Sequence, residues 1–453
     1  MIHLKKFDLN EAAAAVGGVA DQNATVSGVF TDSRKPLNHG LFVALTGDRF
    51  NGHDFIPSLE KSGIAAVLVE KDISTTLPKL LVKDTRLALG ALARYHRARF
   101  DIPVVGLTGS VGKTTTKEMI HCVLSAKFNT LKTEGNLNND IGMPLTLLRL
   151  DPCHTAAVIE MGMNHAGEIS GLTAICRPTV AVITNIGMNH IENLGSQENI
   201  FRAKLEILEG LQPGAPLILN GDDKYLGAYK NENYNIIRYG MGDDTFDFTA
   251  TDVVSDAAGC SFVLRHGDER ANVRLHVPGA HNVSNALAAA AVGSVHGIAL
   301  ADIAAALENY APAGMRQHIA KYNNITVIED CYNAAPASVK AALQVLSGFR
   351  DGKRIAVLGD MLELGDYAEA LHREVGAAVK GNADLLLTYG ALSKFTADAA
   401  AEGGVPVLAF TDKTALATQL RQTVAAGDAV LVKGSRGMRM ETIIADVFGK
   451  QDV

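Results

Sequence analysis

A run of small, hydroxyl-bearing and basic residues gives the clearest chemical signal in this chain. It reads TGSVGKTTT over residues 108–116 and follows directly on the apolar stretch 102–107. A strand, a glycine loop and a helix in this order hold anionic phosphates with backbone N–H groups and the positive end of the helix dipole. The spacing predicts a helix from about Lys113, whose amine would reach the terminal phosphates, while the Thr114 hydroxyl would serve Mg²⁺. The residues expected to surround a nucleoside triphosphate are Gly109, Ser110, Val111, Gly112, Lys113, Thr114 and Thr115.

The loop departs from the usual phosphate-loop pattern at one position. That pattern has a glycine five places before Gly112, where this chain has Leu107. The sequence therefore predicts a variant loop, and an ordinary strand–turn–helix stays open as the alternative.

Two polar side chains follow the next apolar runs along the chain. Glu160 comes directly after the run 156–159, and His190 comes a few residues after the run 180–183. Ligands bind beyond the carboxyl ends of parallel strands, and Glu and Thr oxygens suit Mg²⁺, with His an unusual addition. A helix-capping role for Glu160 and an ordinary loop role for His190 are the alternatives, weakened by their shared placement. Nothing local marks Lys204, which by its sequence context alone is a solvated helix lysine.

Three stretches of the chain differ in pattern. Residues 1–100 hold short strand-like pieces and predict a small mixed domain, whereas residues 101–312 and 313–453 alternate apolar runs with helix-length segments. Runs that are apolar on both faces indicate parallel strands covered by helices, so we expect an α/β protein with a central P-loop ATPase-like domain and a C-terminal Rossmann-like domain. The runs are 156–159, 180–183 and 216–219 in the second stretch and 325–328, 355–358, 385–387, 405–408 and 430–432 in the third. An insertion with β-like alternation covers residues 233–278, and a small-residue helix is predicted over residues 286–295.

Composition excludes several classes of protein. The chain of 453 residues has 42 Lys and Arg against 49 Asp and Glu, a net charge of -7, so broad electrostatic binding of nucleic acid is not expected. No apolar window is long enough for a membrane span, and residues 1–8 lack the apolar core of a leader, which predicts a cytoplasmic protein. The 5 cysteines are scattered without a C-x-x-C pair, so we expect reduced core residues.

Five separated segments together resemble a known family. The phosphate loop, GNLNNDIGMPLTLL at 135–148 and GAHNVSNALAA at 279–289 are similar to the Mur ligases of peptidoglycan assembly. DCYNAAPAS at 330–338 and KGSRGMRME at 433–441 resemble the branch of that family that adds D-alanyl-D-alanine to a UDP-N-acetylmuramoyl-tripeptide. The segments stand in the family's order across all three stretches.

The resemblance implies a reaction and a set of cofactors. ATP would phosphorylate the terminal carboxylate of the muramoyl tripeptide, and the amine of D-alanyl-D-alanine would displace phosphate from the resulting acyl phosphate. Two Mg²⁺ ions would spread the negative charge. Thr114 and Glu160 match the ligands of the first ion; Glu160, His190 and Lys204 match those of the second. Lys204 would act as a carbamate, although the sequence shows no modification.

The resemblance also assigns nucleotide-binding residues. Asn136 matches a polar contact near the phosphates, and Asn282 and Asn285 match the adenine region. Arg316 and Asp330 match residues of the C-terminal domain that meet the nucleotide when the domains close. The alternatives are a turn residue at Asn136, a helix cap at one of the other two asparagines, and surface pairs for the Arg and the Asp.

Fewer residues match the substrate contacts. Ser33 and Arg34, with Gly52 and His53, resemble the N-terminal segments that hold the UDP-sugar, and Asn333 is expected at the peptide substrate. A turn with an exposed charge explains the first pair equally well. The resemblance makes residues 1–100 the UDP-muramoyl-peptide-binding domain and implies a monomer.

Three other functions stay open. A ligase of the preceding step, which adds a single diamino acid, carries an Asp-x-x-x-Pro-Arg-like signature; the matching region around residues 391–394 has no Pro-Arg pair, which favours the dipeptide acceptor. Folylpolyglutamate synthases share the plan, but their pterin-recognition features are not evident here. A non-enzymatic nucleotide-binding switch would need the phosphate loop without Glu160, His190 and Lys204 together.

Overall fold

The computed structural model describes residues 7–47, 50–312 and 314–449, which form a succession of β-sheets flanked by helices. Two of the expectations above fall on residues outside these ranges. They are the absence of a leader in residues 1–6 and the start of the third domain at residue 313.

The N-terminal region is small and mixed, as predicted. Its elements are β1 (Phe7–Asp8), α1 (Leu9–Val16), β2 (Val19–Ala20), β3 (Thr25–Val26), β4 (Val29–Phe30), β5 (Leu41–Val43), α2 (Ile56–Leu59), β6 (Ala66–Val69), β7 (Lys79–Leu81) and α3 (Thr85–Arg97). Strands β4 to β7 are parallel neighbours, β2 pairs antiparallel with β7, and β1 pairs with β3. Strands β5 and β6 are buried along their whole length, which explains their continuous apolar sequence.

The central region carries a nine-stranded sheet. Its elements are β8 (Val104–Thr108), α4 (Lys113–Ser125), β9 (Thr130–Lys132), α5 (Gly142–Leu147), β10 (Ala156–Glu160), α6 (Glu168–Cys176), β11 (Val180–Ile183), α7 (Ile191–Leu194), α8 (Gln197–Leu205), β12 (Pro216–Asn220), α9 (Lys224–Ala228), β13 (Asn235–Gly240), β14 (Phe248–Asp256), β15 (Gly259–His266), β16 (Glu269–Leu275), α10 (Ala280–Val295) and α11 (Leu300–Glu308). The order is β16-β15-β14-β13-β12-β11-β8-β10-β9, parallel from β14 to β9. The last three strands in sequence form an antiparallel meander.

This strand order places the predicted site. Strand β8, which leads into the phosphate loop, lies between β10 and β11. The three apolar runs predicted for this stretch form β10, β11 and β12, and the β-like insertion forms β13 to β16. Because parallel neighbours end at the same edge of a sheet, the residues that follow β10 and β11 are brought next to the loop.

The C-terminal region is a second open sheet. Its elements are β17 (His318–Tyr322), β18 (Ile325–Asp330), α12 (Pro336–Ser347), β19 (Arg354–Gly359), α13 (Ala368–Ala377), β20 (Leu385–Tyr389), α14 (Ser393–Glu402), β21 (Val407–Phe410), α15 (Lys413–Thr423), β22 (Ala429–Lys433) and α16 (Glu441–Phe448). The order is β17-β18-β22-β19-β20-β21, with β17 antiparallel at one edge. Short 3₁₀ helices lie at Gly52–Phe55, Glu206–Gly210, Gly365–Tyr367 and Arg436–Met438.

The predicted α/β fold class is confirmed, and two details differ from expectation. The run 405–408 forms a strand only from Val407, because Pro406 has no N–H to give a sheet ladder. Cys176, Cys260 and Cys331 are buried as predicted, whereas Cys153 is exposed, so the expectation of a core role is wrong for that residue. None of the helices in the described part of the chain is long and apolar enough to cross a membrane.

Candidate active site

The phosphate loop joins β8 to α4 through two glycines with positive φ. Gly109 has φ 151°, and Gly112, the N-cap of α4, has φ 81°. A Cβ atom on Gly109 would lie 1.9 Å from Thr184 Oγ1, and one on Gly112 would lie 2.7 Å from Asn285 Oδ1. Both positions therefore require glycine, for backbone conformation and for space. The predicted helix start at Lys113 is confirmed.

Lys113 lies over the loop itself. Its Nζ donates to the Gly109 carbonyl oxygen at 2.8 Å. Burial lowers the pKa of Lys113, the nearby Glu160 carboxylate opposes that shift, and the Arg316 guanidinium adds to it. The last two groups come from β10 and from the C-terminal region, so three parts of the chain act on this one amine.

Glu160 is the last residue of β10, and its buried carboxylate is held on both oxygens. Thr114 Oγ1 donates to Glu160 Oε2 at 2.9 Å, and Asn138 Nδ2 donates to Oε1 at 2.8 Å. The carboxylate caps none of the described helices, so the alternative role in helix capping is wrong. Asn138 lies in the segment 135–148 that resembles the family, but no role was predicted for it.

His190 stands just before α7 with φ 60°, and it lines the same cavity as Glu160. Its Nδ1 lies 2.6 Å from Oε2 of Glu363, which follows β19 in the C-terminal region. That contact lowers the pKa of Glu363, against the opposing effect of partial burial. Glu363 was not predicted from the sequence. The same signal that identified Glu160, a position soon after an apolar run, could have found it.

Lys204 is only 2% exposed, so the alternative of a solvated helix lysine is wrong. No other group in the described part of the chain hydrogen-bonds or ion-pairs with its Nζ. Burial, and secondly the charge of Lys113, lower the pKa of Lys204 well below its usual value. Burial without a partner thus disfavours the charged form of this amine.

A cavity of about 570 Å³ lies between the central and C-terminal regions. It brings together many of the predicted residues: Ser110, Val111, Gly112, Lys113, Thr115, Asn136, Glu160, His190, Asn285, Arg316, Asp330 and Asn333. Its wall is rich in side-chain amides: Asn136, Asn138, Asn139, Asn164, Asn185, Asn189, Asn220, Asn285 and Asn333. Gly109, Thr114 and Asn282 lie behind this wall and contact residues that form it.

The two asparagines of α10 lie inside the helix, which begins at Ala280, so the capping alternative is wrong for both. Asn282 Nδ2 donates to the Pro278 carbonyl at 2.9 Å and to Gln317 Oε1 at 3.0 Å. Asn285 Oδ1 accepts from Thr116 Oγ1 at 3.1 Å, which ties α10 to the helix of the phosphate loop.

On the C-terminal side, Arg316 and Asp330 have buried or aromatic partners in place of surface ion pairs. The Arg316 guanidinium lies 4.1 Å above the centre of the Tyr332 ring. Lys433, 2% exposed at the end of β22, donates to Asp330 Oδ2 at 2.5 Å and to the Asn333 carbonyl at 2.9 Å. Tyr332 and Lys433 lie in the segments that resemble the family, but no role was predicted for either. Their contacts, Tyr332 with Arg316 and Lys433 with Asp330, could be recognised only from the structure.

The candidate UDP-sugar residues lie elsewhere. Arg34 is 86% exposed at its side chain and donates twice to the Asp32 carboxylate, at 2.8 and 2.9 Å. Those hydrogen bonds lower the pKa of Asp32 to about 2. Among the described residues that line the cavity, neither Ser33 nor Arg34 is present. This agrees with the alternative of a turn with an exposed charge. His53 is buried and accepts from the Glu70 N–H through Nε2, so it supports the local fold.

Three family models match successive segments of the chain. "Mur ligase family, catalytic domain" matches residues 25–97, "Mur ligase middle domain" matches residues 107–293, and "Mur ligase, glutamate ligase domain" matches residues 315–436. The chain is 40% identical to the UDP-N-acetylmuramoyl-tripeptide–D-alanyl-D-alanine ligase of Bacillus subtilis (strain 168), over 98% of this chain and 99% of that protein.

Solved structures give the same picture. A crystal structure of MurF from Acinetobacter baumannii superposes with a TM-score of 0.92 at 35% identity, covering 99% of this chain and 100% of that one. MurF ligase from Thermotoga maritima in complex with ADP superposes with a TM-score of 0.83 at 27% identity, covering 93% of this chain and 96% of that one. The similarity therefore extends over all three regions.

Proposed function

Since this chain belongs to the Mur ligase family, we propose that it joins D-alanyl-D-alanine to a UDP-N-acetylmuramoyl-tripeptide in peptidoglycan precursor synthesis. ATP is converted to ADP and phosphate. The observation that carries this assignment is the 40% identity, over 98% of the chain, to the Bacillus subtilis ligase that bears this name. The cavity supports it, because the phosphate loop, Glu160 and the C-terminal Arg316 all face one space.

The reaction has two covalent steps. A carboxylate oxygen of the tripeptide attacks the γ-phosphorus of ATP, the bond to the β–γ bridging oxygen breaks, and ADP leaves. The neutral amine of D-alanyl-D-alanine then attacks the acyl carbon, and the tetrahedral intermediate expels phosphate and loses a proton. Lys113 stabilises the charge on the transferring phosphoryl group, which is the main task of a protein in such a transfer.

The donor groups of the cavity fit magnesium. The Thr114 hydroxyl and the Glu160 carboxylate are hard oxygen ligands, and His190 adds one nitrogen. Two Mg²⁺ ions, held by these residues and by Lys204, would offset the negative charges of the triphosphate and of the attacking carboxylate.

Lys204 serves in this scheme as a carbamate. Its unmodified amine cannot supply an oxygen ligand, whereas addition of carbon dioxide to the amine nitrogen, with loss of a proton, gives a carboxylate. The buried, partnerless amine favours that addition, because only the unprotonated form reacts.

The remaining assignments follow the resemblance. Residues 1–100 bind the UDP-muramoyl peptide, residues 101–312 bind ATP, and residues 313–453 complete the site. The nucleotide is held by the phosphate loop together with Asn136, Asn282, Asn285, Arg316 and Asp330. Ser33, Arg34 and Asn333 contact the muramoyl-peptide substrate, and the Arg34 side chain is free to do so because it faces solvent. The enzyme acts as a monomer in the cytoplasm, where its nucleotide-linked substrate and ATP are available.

An acceptor test decides between this function and its rivals. The purified protein is offered D-alanyl-D-alanine with the muramoyl tripeptide, or a single diamino acid with the muramoyl dipeptide, and ADP release is followed. Turnover with the first pair alone is expected, since a pocket built for one carboxylate leaves the second charged end of a diamino acid unpaired. Turnover with the second pair alone would assign the preceding step. Slow ATP hydrolysis that neither substrate pair accelerates would indicate a nucleotide switch.

A further inference from the structure

We propose that Glu363 is a positioning residue for the metal site: its carboxylate lies against Nδ1 of His190 and thereby presents Nε2 of that ring to the cavity. The inference rests on the proposed function, in which His190 is a magnesium ligand. Glu363 itself belongs to the C-terminal region, whereas the other proposed ligands, Thr114, Glu160 and Lys204, come from the central one.

The contact favours one nitrogen of the ring as the available one. Nδ1 of His190 lies 2.6 Å from Glu363 Oε2, an ion-pair contact whose angle is too bent for a hydrogen bond, so this buried nitrogen has no hydrogen-bond partner among the described residues. A carboxylate this close favours the hydrogen on Nδ1, which leaves the lone pair on Nε2. No group in the described part of the chain hydrogen-bonds to Nε2. A carboxylate next to a histidine ligand orients the ring and makes the other ring nitrogen a better electron-pair donor to a metal.

The backbone on both sides of the contact is held in an unusual conformation. His190 has φ 60° and Glu363 has φ 64°, a region that non-glycine residues adopt at a cost. Such residues persist where the surrounding structure holds them and cluster at functional sites. Here the two left-handed residues are partners.

Further contacts lock the same two segments together. The Glu192 N–H donates to the Glu363 carbonyl at 3.4 Å, and Tyr367 Oη donates to the Gly195 carbonyl at 3.4 Å. Gly365, with φ 50°, fits so closely that a Cβ atom there would lie 3.3 Å from Glu192. The segment 363–367 is thus docked on the segment 190–195, with the Glu363 carboxylate placed at the ring.

Because the two partners belong to different regions, the orientation of a metal ligand depends on how the C-terminal region docks. A site whose affinity depends on that docking binds metal best when the nucleotide cavity is assembled. By linkage, bound metal then favours the docked arrangement.

Metal affinity tests this without relying on turnover. Mn²⁺ binding is measured by electron paramagnetic resonance on the full chain with a non-hydrolysable ATP analogue, for the wild type, Glu363→Ala and Glu363→Gln. We expect the alanine variant to bind Mn²⁺ about 10- to 100-fold more weakly, the usual loss when the partner of a ligand is removed, and the glutamine variant to fall between. The matched control is Asp366→Ala, which removes the same charge from an exposed position of the same segment.

Turnover gives a second readout. If Glu363 acts through the metal, the alanine variant needs more Mg²⁺ for half-maximal rate but approaches the wild-type kcat at saturating Mg²⁺. Rates are compared only between variants whose thermal midpoints equal that of the wild type. If the alanine variant is less stable, the glutamine variant, which keeps the side-chain length, takes its place.

Two outcomes would overturn the inference, and a third variant separates them. If Glu363→Ala and Asp366→Ala bind Mn²⁺ as the wild type does while His190→Ala binds it weakly, Glu363 has no positioning role and the magnesium role of His190 stands. If His190→Ala also binds Mn²⁺ normally, the metal role of His190 falls together with that of Glu363. The acceptor test for the ligase function is unaffected in either case.

Discussion

The phosphate-loop side of the cavity and the Ser33–Arg34 turn are built in opposite ways. Around the loop, polar side chains satisfy one another: Thr114 and Asn138 hold both oxygens of Glu160. In the turn, the one partner that Arg34 has among the described residues is Asp32, two residues away, and most of its side chain lies in water.

The difference is the one expected if the cavity residues perform chemistry and the turn recognises substrate. Groups that stabilise a transition state must be oriented before the substrate arrives, since reorienting them during the reaction would add to the barrier. A group that grips the outer part of a large substrate can instead be ordered by the substrate itself. We therefore expect substitutions in the cavity to lower kcat steeply and substitutions in the turn to raise KM mildly.

The largest effect is expected at the loop lysine. Lys113→Ala should lower ligation by roughly a hundred- to a thousand-fold, which corresponds to about 3 to 4 kcal/mol of transition-state stabilisation. The fold should survive, because the amine bonds to backbone carbonyls of its own loop. ADP release and thermal melting measure the two quantities. Lys380→Ala, in the exposed turn after α13, is the matched control, and equal activity of the two variants would remove Lys113 from the reaction.

Lys204 should rank next. Lys204→Met should reduce activity about a hundred-fold by removing the proposed metal ligand, yet raise the thermal midpoint, because a buried amine without a partner costs folding free energy. Lys204→Arg places a permanent cation at this position that cannot become a carbamate, so it should be inactive too.

Carbon dioxide gives an independent check on this lysine. Wild-type activity should fall in bicarbonate-free buffer and return when bicarbonate is restored. Full activity of Lys204→Arg, or indifference to bicarbonate, would leave the carbamate without support.

A smaller effect is expected at the aromatic support of Arg316. Tyr332→Leu removes the ring beneath the guanidinium, a contact worth about 0.5 to 1 kcal/mol in a partly exposed setting. The KM for ATP should rise several-fold, while kcat changes little. Tyr332→Phe keeps the ring and should behave as the wild type. If the phenylalanine and leucine variants were equally impaired, the hydroxyl and not the stack would be the important group.

The smallest effect belongs to the exposed turn. Arg34→Ala should raise the KM for the UDP-muramoyl tripeptide by up to about ten-fold, the range of one charge-assisted contact at a wet surface, with kcat and the KM for ATP unchanged. Lys35→Ala, next in sequence and also exposed, is the control. A loss of kcat in Arg34→Ala would contradict the separation of chemistry from recognition.

Sequence alone predicted the residues that stand where strands end. Glu160 and His190 follow apolar runs, and the sheet order brings both to the phosphate loop. The burial of Lys204 could not be predicted, because it depends on how the short helix α8 packs against α6 and α7. The pairing of Asp330 with Lys433 needed the order of strands β18 and β22, which apolar runs do not reveal.

The asparagine-rich wall of the cavity bears on how the products leave. A surface of cations would hold ADP and phosphate tightly after the amide has formed, and release would limit the turnover rate. Neutral amides hydrogen-bond to phosphate oxygens and to peptide groups alike without adding net charge. Among the described residues that line the cavity, the lysine and arginine side chains are Lys113, Arg316 and Lys433. Little of the attraction for the products therefore comes from the protein's own charge.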